Sequence, residues 1–254
     1  LGDVYKRQVV RFRLPKNESL IKRSSHCMTC GEKIRVIDLI PVFSWIFLRG
    51  KCHNCGEKIS ARYPIVESLT GLMFMLVFYV MDLNAESIIT CVLFALLIVV
   101  GFMDWDTLEM DIRILVLIFL LSIPSQIFTD SLKITDRIIG ALYISVPFFI
   151  IGEISRAVIK KRSGEDMRGI ELGDTLLMFC AGSVIGTRAI IVSAFAGIII
   201  AAICGIINKR ISGESKFAFG PYLAIGIAIG TLWGDNLIAV SYTHLRAHET
   251  LMNL

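Results

Sequence analysis

Two aspartates lie at the ends of apolar segments, where a lipid-facing protein seldom keeps a charge. Asp104 follows the apolar run Ile88–Met103, and Asp174 opens another run directly after Glu171-Leu172-Gly173. An ionisable side chain at the mouth of a membrane helix is costly unless it faces a wet cavity, so it indicates a functional site. Two such carboxylates could form a dyad in which one activates water and its protonated partner polarises a carbonyl. The alternative is a pair of helix-boundary acids, with Asp174 as an N-cap.

The composition is typical of a membrane protein. Hydrophobic residues make up 55% of the chain and the mean hydropathy is +0.69, too apolar for a soluble domain of this length. A helix needs about 20 apolar residues to cross a bilayer. The sequence therefore predicts an all-α polytopic membrane protein with about seven transmembrane helices: Tyr63–Val80, Ile88–Met103, Met110–Phe128, Ile138–Ile159, Asp174–Thr187, Ala189–Ile207 and Phe217–Trp233.

The positions of the basic residues predict the orientation of these helices. The net charge of +4 is small and says nothing about nucleic acid, and no nucleic-acid partner is expected. Eleven Lys and Arg side chains fall within Arg11–Arg62, and further bases precede Asp174 and the last apolar run. Because loops rich in Lys and Arg stay in the cytoplasm, we expect these segments, with Asp104 and Asp174, at the cytoplasmic membrane face. Arg188, in a short external turn, is the exception.

Four cysteines form two short motifs of the kind that binds a metal. Cys27 and Cys30, and likewise Cys52 and Cys55, are separated by two residues, and each pair is followed by Gly-Glu-Lys. Four thiolates at this spacing predict a structural zinc ion in a small cytoplasmic domain. A redox or disulfide role is the alternative, which a cytoplasmic location disfavours. The remaining cysteines lie in apolar runs and are expected to be packing residues: Cys91, Cys180 and Cys204.

The segment Ile37–Leu48, between the two cysteine motifs, is too apolar for a free loop and too short to span a bilayer. It indicates an interfacial or re-entrant element lying against the membrane. A covered core element of the zinc domain is the alternative, and the two are not exclusive.

The two ends of the chain differ from the rest. Residues 1–8 and 241–254 are polar and resemble translated sequencing-adapter sequence, although genuine polar termini are the alternative. On the first interpretation, the chain divides into a zinc-binding domain at 9–62 and a transmembrane domain at 63–240. An eighth, N-terminal helix is then expected to be missing.

Motifs around the cysteines resemble one known family. The block Cys27–Glu67 contains Asp38-Leu39-Ile40-Pro41-Val42-Phe43-Ser44-Trp45 and Ile59-Ser60-Ala61-Arg62-Tyr63-Pro64. This block closely resembles the bacterial type IV prepilin peptidases, also called leader peptidase/N-methyltransferases. The resemblance continues to about Val240. It implies cleavage of the short basic leader of prepilin or pseudopilin precursors at the cytoplasmic side of the inner membrane. It also implies methylation of the new N-terminus with S-adenosylmethionine.

The resemblance implies roles for individual residues. Asp104, in Phe102-Met103-Asp104-Trp105-Asp106, and Asp174, ending a Gly-x-Gly-Asp-like motif, match the two catalytic aspartates of the family. Asp106 matches an accessory acid. Gly50 and Glu67 are candidates for methyl transfer, although for Glu67 a helix-start acid is the alternative.

The sequence departs from the family pattern in three places. Glu171 replaces the first glycine of Gly-x-Gly-Asp, Asp111-Ile112 replaces a Pro-Asp pair, and Leu176 replaces a frequent lysine. Glu171 either acts on Asp174 by like-charge repulsion or points into solvent.

Two other functions fit the same residues. A non-enzymatic scaffold would use the cysteine domain to recruit cytoplasmic partners and would tolerate loss of both aspartates. A proton- or cation-coupled transporter would use Asp104, Asp106 and Asp174 as an ion path, with acids near mid-bilayer rather than at helix ends.

Overall fold

The computed structural model describes residues 26–27, 29–129, 132–164, 166, 168–212 and 217–252. Its regular elements are a 3-10 helix (Val36–Leu39) and helices α1 (Phe43–Phe47), α2 (Arg62–Met81), α3 (Ala85–Thr107), α4 (Ile112–Leu120), α5 (Ser122–Phe128), α6 (Ile134–Ser163), α7 (Leu172–Ser212) and α8 (Gly220–Met252). The described ranges contain isolated bridges but no strand. The prediction of an all-α protein is confirmed.

The chain divides into two compact units, Leu1–Leu69 and Thr70–Leu254, with the division inside α2. Two predicted segments, the adapter-like start at 1–8 and the beginning of the zinc domain at 9–25, lie outside the described residues. At the other end, the backbone of residues 241–252 continues α8.

Within the described residues, five helices are long and apolar enough to cross a membrane. They are α2, α3, α6, α7 and the part of α8 at Gly220–Ala239, while α4 and α5 form a shorter apolar segment, Ile112–Phe128. Large side chains such as Ile138, Tyr143 and Ile150 remain exposed, as expected where lipid rather than water surrounds the helices. The seven predicted segments correspond to these five helices and the shorter segment Ile112–Phe128, once α7 is divided in two.

The division of α7 lies at Gly186, whose φ of 78° and ψ of 179° are not helical. Gly173, near the start of α7, and Gly205, near its end, both pack at the end of the bundle where α8 begins. Ala189 instead packs against Gly234, about four turns into α8. The chain therefore reverses at Gly186, and α7 is a pair of antiparallel helices, close to the predicted interruption between Thr187 and Ala189.

Two adjacent side chains of α6 satisfy the backbone groups left free at this break. Arg137 is buried, and its guanidinium donates to the carbonyls of Ser183, at 3.2 Å, and Val184, at 2.9 Å. The carboxylate of Asp136 accepts the backbone N–H of Thr187 at 3.4 Å. Because unpaired backbone groups are costly in a membrane, these two side chains stabilise the reversal.

Small residues let the helices approach closely. A side-chain carbon added to Gly182 would collide with the backbone of Gly140 in α6, and one added to Gly226 would collide with the carbonyl of Ser193. Lipid removes most of the hydrophobic force between membrane helices, so such close packing supplies much of their association. It fixes α7 between α6 and α8 and thereby fixes the position of Asp174.

Candidate functional site

A cavity of about 260 Å³ brings together the two predicted aspartates. Its lining comes from the end of α3, the turn that follows it, and the start of α7: Asp104, Glu109, Met110, Glu171, Leu172, Gly173 and Asp174. Only 6% of Asp104 and 4% of Asp174 is exposed to solvent. Asp106 is half-buried and lies outside this lining. The structure thus places the two aspartates of the proposed dyad in one cavity and leaves the accessory acid outside it.

Asp104 lies in the last turn of α3, and one backbone group orients its carboxylate. Its Oδ2 accepts the N–H of Gly220, the first residue of α8, at 2.8 Å. The helix ends at Thr107, and the left-handed φ of 55° at its C-cap, Leu108, turns the chain. This turn brings Glu109 and Met110 to the cavity wall.

Asp174 is the third residue of α7 rather than its N-cap. Its Oδ2 accepts the backbone N–H of Glu171 at 3.3 Å, which is one half of a capping box. One oxygen of this side chain therefore has a role at the helix boundary, although Asp174 is not the N-cap. This hydrogen bond does not exclude a catalytic role for Asp174, because the same side chain lines the cavity.

The loop that carries Glu171 is attached to the end of α6. The contacts are the ion pairs Arg168–Glu153 and Arg156–Asp166, both at 2.5 Å, and the hydrogen bond from the Gly169 N–H to Ser155 Oγ at 2.9 Å. The Arg156 guanidinium lowers the pKa of Asp166 to about 2. Each exposed ion pair contributes little to stability. The position of the loop, and with it that of Asp174, therefore depends on the two ion pairs and the hydrogen bond together.

Glu171 lines the cavity while remaining open to solvent. Partial burial raises the pKa of its carboxyl, and the charges of Asp104 and Glu109 raise it further, against the opposing effect of Arg168. The described lining contains four carboxylates and no cation. A cationic group entering from outside would therefore be attracted to this cavity.

The other two departures from the family pattern lie away from the cavity lining. Asp111 is the N-cap of α4, where its Oδ1 accepts the Arg113 N–H at 2.9 Å. The Asp111 side chain therefore caps the first turn of α4. Leu176 is partly exposed on α7.

The two cysteine motifs form matching turns whose sulfurs converge. In each motif the first cysteine and the glutamate five residues later are joined by a backbone hydrogen bond of 2.8 Å. The glycines of the two Gly-Glu-Lys repeats have φ of 72° and 70°, which glycine adopts without strain. The Sγ atoms of Cys27, Cys30, Cys52 and Cys55 all lie within 4.8 Å of one another.

This set of donors fits a tetrahedral metal ion such as zinc. The sulfurs of Cys27 and Cys55 are 3.8 Å apart, and a zinc–sulfur bond of about 2.3 Å gives a tetrahedral sulfur–sulfur distance of about 3.8 Å. Backbone amides of Cys30 and Thr29 lower the pKa of the Cys27 thiol to about 6. The pKa of the Cys55 thiol is raised instead, because desolvation and hydrogen bonds to the other three sulfurs outweigh the backbone amide of Glu57.

Gly50 and Glu67, the candidates for methyl transfer, both have structural contacts. Gly50 has a φ of 65°, and a side-chain carbon there would lie 2.8 Å from the Trp45 ring. The Glu67 carboxylate accepts the Val42 N–H at 2.9 Å. These contacts explain both residue types without methyl transfer, so that role stays a prediction.

Some residues at the cavity were not predicted from the sequence. Glu109 and Met110 line it, and the Gly220 N–H is bonded to Asp104 across 116 positions of the chain. Gly220 stands in a Phe-Gly-Pro sequence, Phe219–Pro221, at the start of α8. Its contact with Asp104 could not be foreseen from local sequence.

We expect Gly220→Ala to lower any activity that depends on Asp104 without unfolding the protein. An added carbon would lie 2.9 Å from Asp104 Oδ2 and would also collide with Met110, so the carboxylate must shift. Gly71→Ala is the control, because an added carbon there meets nothing within 4 Å. Initial rates and melting temperatures of both variants would test this. Unchanged activity in Gly220→Ala would show that the orientation of Asp104 is unimportant.

The chain is similar to known peptidases along most of its length. The family model of the Bacterial Peptidase A24 N-terminal domain matches residues 6–81, and that of the Type IV leader peptidase family matches residues 91–206. A type 4 prepilin-like proteins leader peptide-processing enzyme of Escherichia coli is 32% identical over 85% of this chain and 77% of its own.

Two prepilin leader peptidase/N-methyltransferases extend this result. The protein of Aeromonas salmonicida is 29% identical over 86% of this chain and 74% of its own. That of Bacillus subtilis is 25% identical over 94% and 92%, respectively. No solved structure matches the chain. On these matches, the chain belongs to the type IV prepilin leader peptidase family.

Proposed function

We propose that this protein cleaves the basic leader from prepilin or pseudopilin precursors, with Asp104 and Asp174 as the catalytic pair. The observation that carries the proposal is their burial in one cavity, on two different helices. Backbone N–H groups orient one oxygen of each carboxylate. Family membership supports the same function.

The chemistry follows from two carboxylates that share a site. In an aspartyl dyad the two carboxyls share one proton, because like charges held close do not both ionise readily. The ionised carboxylate takes a proton from water, and the resulting hydroxide attacks the scissile carbonyl. The protonated carboxyl donates to the carbonyl oxygen. Collapse of the tetrahedral intermediate then breaks the C–N bond, and the amine leaves with a proton from the dyad. No metal is required.

The surroundings of the dyad fit a basic leader. Glu109 and Glu171 add negative charge at the cavity, and its described lining has no cation. The positive-inside pattern supports a cytoplasmic position for this cavity at the inner membrane. A precursor with a cytoplasmic basic leader and an apolar membrane helix would present its cleavage point at that level.

The direct test is to incubate the purified full-length protein with a prepilin-like precursor in detergent or nanodiscs. Mass spectrometry should detect the released leader and the mature protein. Release at equal rates from the unmutated protein and an Asp104→Asn, Asp174→Asn double variant would overturn the proposal.

We expect Glu171→Gln to raise the KM for a precursor with a basic leader. The amide keeps the size of the side chain but removes a charge that attracts Lys and Arg. A precursor whose leader bases are replaced by Gln is the matched substrate, and its KM should change little. Because Glu32 belongs to the other unit, Glu32→Gln is the control variant. Equal effects of Glu171→Gln on both substrates would contradict a charge-based role.

We further propose that the four-cysteine cluster holds a structural zinc ion on the cytoplasmic side. We also propose that methyl transfer from S-adenosylmethionine to the new N-terminus takes place near this cluster, with Gly50 and Glu67 as candidate residues. The relatives named as N-methyltransferases support this activity.

Glu67→Gln is expected to lower methylation of a pre-cleaved pilin while leaving leader cleavage measurable. Glutamine can still accept the Val42 N–H, so the local fold is kept. Gly50→Ser is a less selective variant, because the new side chain meets the Trp45 ring. Label transferred from S-adenosylmethionine measures the first activity, and mass spectrometry of the leader measures the second. Full methylation by Glu67→Gln would remove this residue from the proposal.

The alternative functions are not favoured. A scaffold gives no reason for two buried aspartates in one cavity. A transporter would place its acids near mid-bilayer, whereas Asp104 is in the last turn of α3 and Asp174 in the first turn of α7.

A further inference from the structure

We propose that an exposed apolar face of the cysteine-containing unit lies on the surface of a lipid bilayer and contacts anionic lipids. The face comes from the 3-10 helix and α1. Its large side chains are open to solvent, with Val36 and Phe47 each 83% exposed. The full apolar face is Val36, Ile37, Leu39, Ile40, Phe43, Ile46 and Phe47. Contiguous apolar surface of this kind indicates a binding surface rather than chance exposure.

The apolar face is held in shape from its other side. The Trp45 indole N–H donates to the carbonyl of Ile59 at 3.1 Å, and the ring packs against Gly50. Trp45 is therefore the inward anchor of α1, while Phe43, Ile46 and Phe47 point outward. The alternative of a covered core element is wrong for these outward residues.

A hydrogen bond within this unit places the apolar face at the level of a membrane helix. The Val42 N–H, at the start of α1, donates to the Glu67 carboxylate at 2.9 Å. Glu67 is the sixth residue of α2, a candidate membrane span, and so lies about 8 Å along that helix. The headgroup layer on each side of a bilayer is about 5–8 Å thick. The apolar face is thus tethered where α2 enters the membrane.

The charge of the segment favours anionic lipid as the occupant. Residues 26–62 contain six Lys or Arg and three Asp or Glu, and Lys33, Arg49 and Lys51 are exposed. Basic side chains next to an apolar surface are typical of elements that lie in the interface of anionic membranes. A lipid surface satisfies both the apolar side chains and the bases.

Photo-crosslinking tests this proposal. The full chain is prepared with benzoylphenylalanine in place of Phe47 and reconstituted in nanodiscs of phosphatidylcholine and phosphatidylglycerol, without precursor. We expect several-fold more lipid adducts than with the same probe in place of Glu57, an exposed residue of the second cysteine motif. Nanodiscs of phosphatidylcholine alone should give fewer adducts at Phe47. The zinc content verifies the fold, and if it falls the probe is moved to Val36.

The other outcomes would overturn the proposal. Adducts with a second copy of the chain would make the apolar face a dimer contact. Adducts with an added prepilin precursor in place of lipid would make it a substrate surface. Equal lipid labelling at Phe47 and Glu57 would mean that the face is not at the membrane. None of these results depends on peptidase activity, so they are separate from the test of the aspartates.

Discussion

Asp104→Asn and Asp174→Asn should each lower leader cleavage by at least about 100-fold, the lower range for a lost general acid or base. An amide oxygen can still accept the N–H of Gly220 or of Glu171, which now bonds to the carboxylate. The fold and the orientation of the side chain should therefore survive. An amide can neither share the proton of the pair nor take one from water. The measurement is the initial rate of leader release from a prepilin-like precursor.

Asp106→Asn is the matched control, because this acid lies two residues from Asp104 but outside the cavity lining. Its effect on the rate should be much smaller. All three variants should insert in membranes at the level of the unmutated protein. If either cavity variant cleaves at a near-normal rate, the dyad is wrongly assigned.

Cys52→Ser should remove bound zinc and unfold the cysteine-containing unit. The unmutated protein, purified under reducing conditions, should carry one zinc ion per chain. Structural zinc sites bind with about 10–16 kcal/mol, and that binding energy is also folding energy. Losing one of four thiolates should therefore lower metal content and increase proteolysis within residues 26–62. Elemental analysis and limited proteolysis are the measurements.

Cys204→Ser is the control for this prediction, since Cys204 lies in α7 and outside the four-cysteine cluster. Its zinc content should be unchanged. Cleavage by Cys52→Ser should survive better than methylation, because the aspartates belong to the other unit. Absence of zinc from the unmutated protein would refute the assignment of the cluster.

The features that were predictable from the sequence depend on short spacing or on periodic hydrophobicity. The repeated Cys-x-x-Cys-Gly-Glu-Lys pattern gives two matching turns because each is closed by local backbone hydrogen bonds. The apolar segments predicted the helices, and the interruption of the apolar pattern near Arg188 predicted the reversal within α7. Arg188 was the exception to the positive-inside pattern. Its Nη1 lies 3.7 Å from Oδ1 of Asp235, and both side chains are largely exposed.

The features that were not predictable depend on contacts between distant parts of the chain. The bond from Gly220 to Asp104 and the position of Glu109 follow from how helices pack, and local sequence carries no signal for either. The same holds for Asp136 and Arg137. Charged residues near the start of an apolar helix are common, and only the structure relates them to a break some fifty positions later.

That pair has a consequence for biogenesis. Ribosomes deliver α6 to the membrane before α7, so Asp136 and Arg137 are already present when the segment around Gly186 leaves the translocon. The hairpin of α7 can then enter the membrane while the peptide groups exposed near Gly186 form hydrogen bonds with Asp136 and Arg137. A rearranged gene that moved α6 behind α8 would reverse this order, and its product would have to insert the hairpin while the peptide groups at Gly186 were still unpaired in lipid. The order of the helices thus places these two side chains earlier in the chain than the break that they pair.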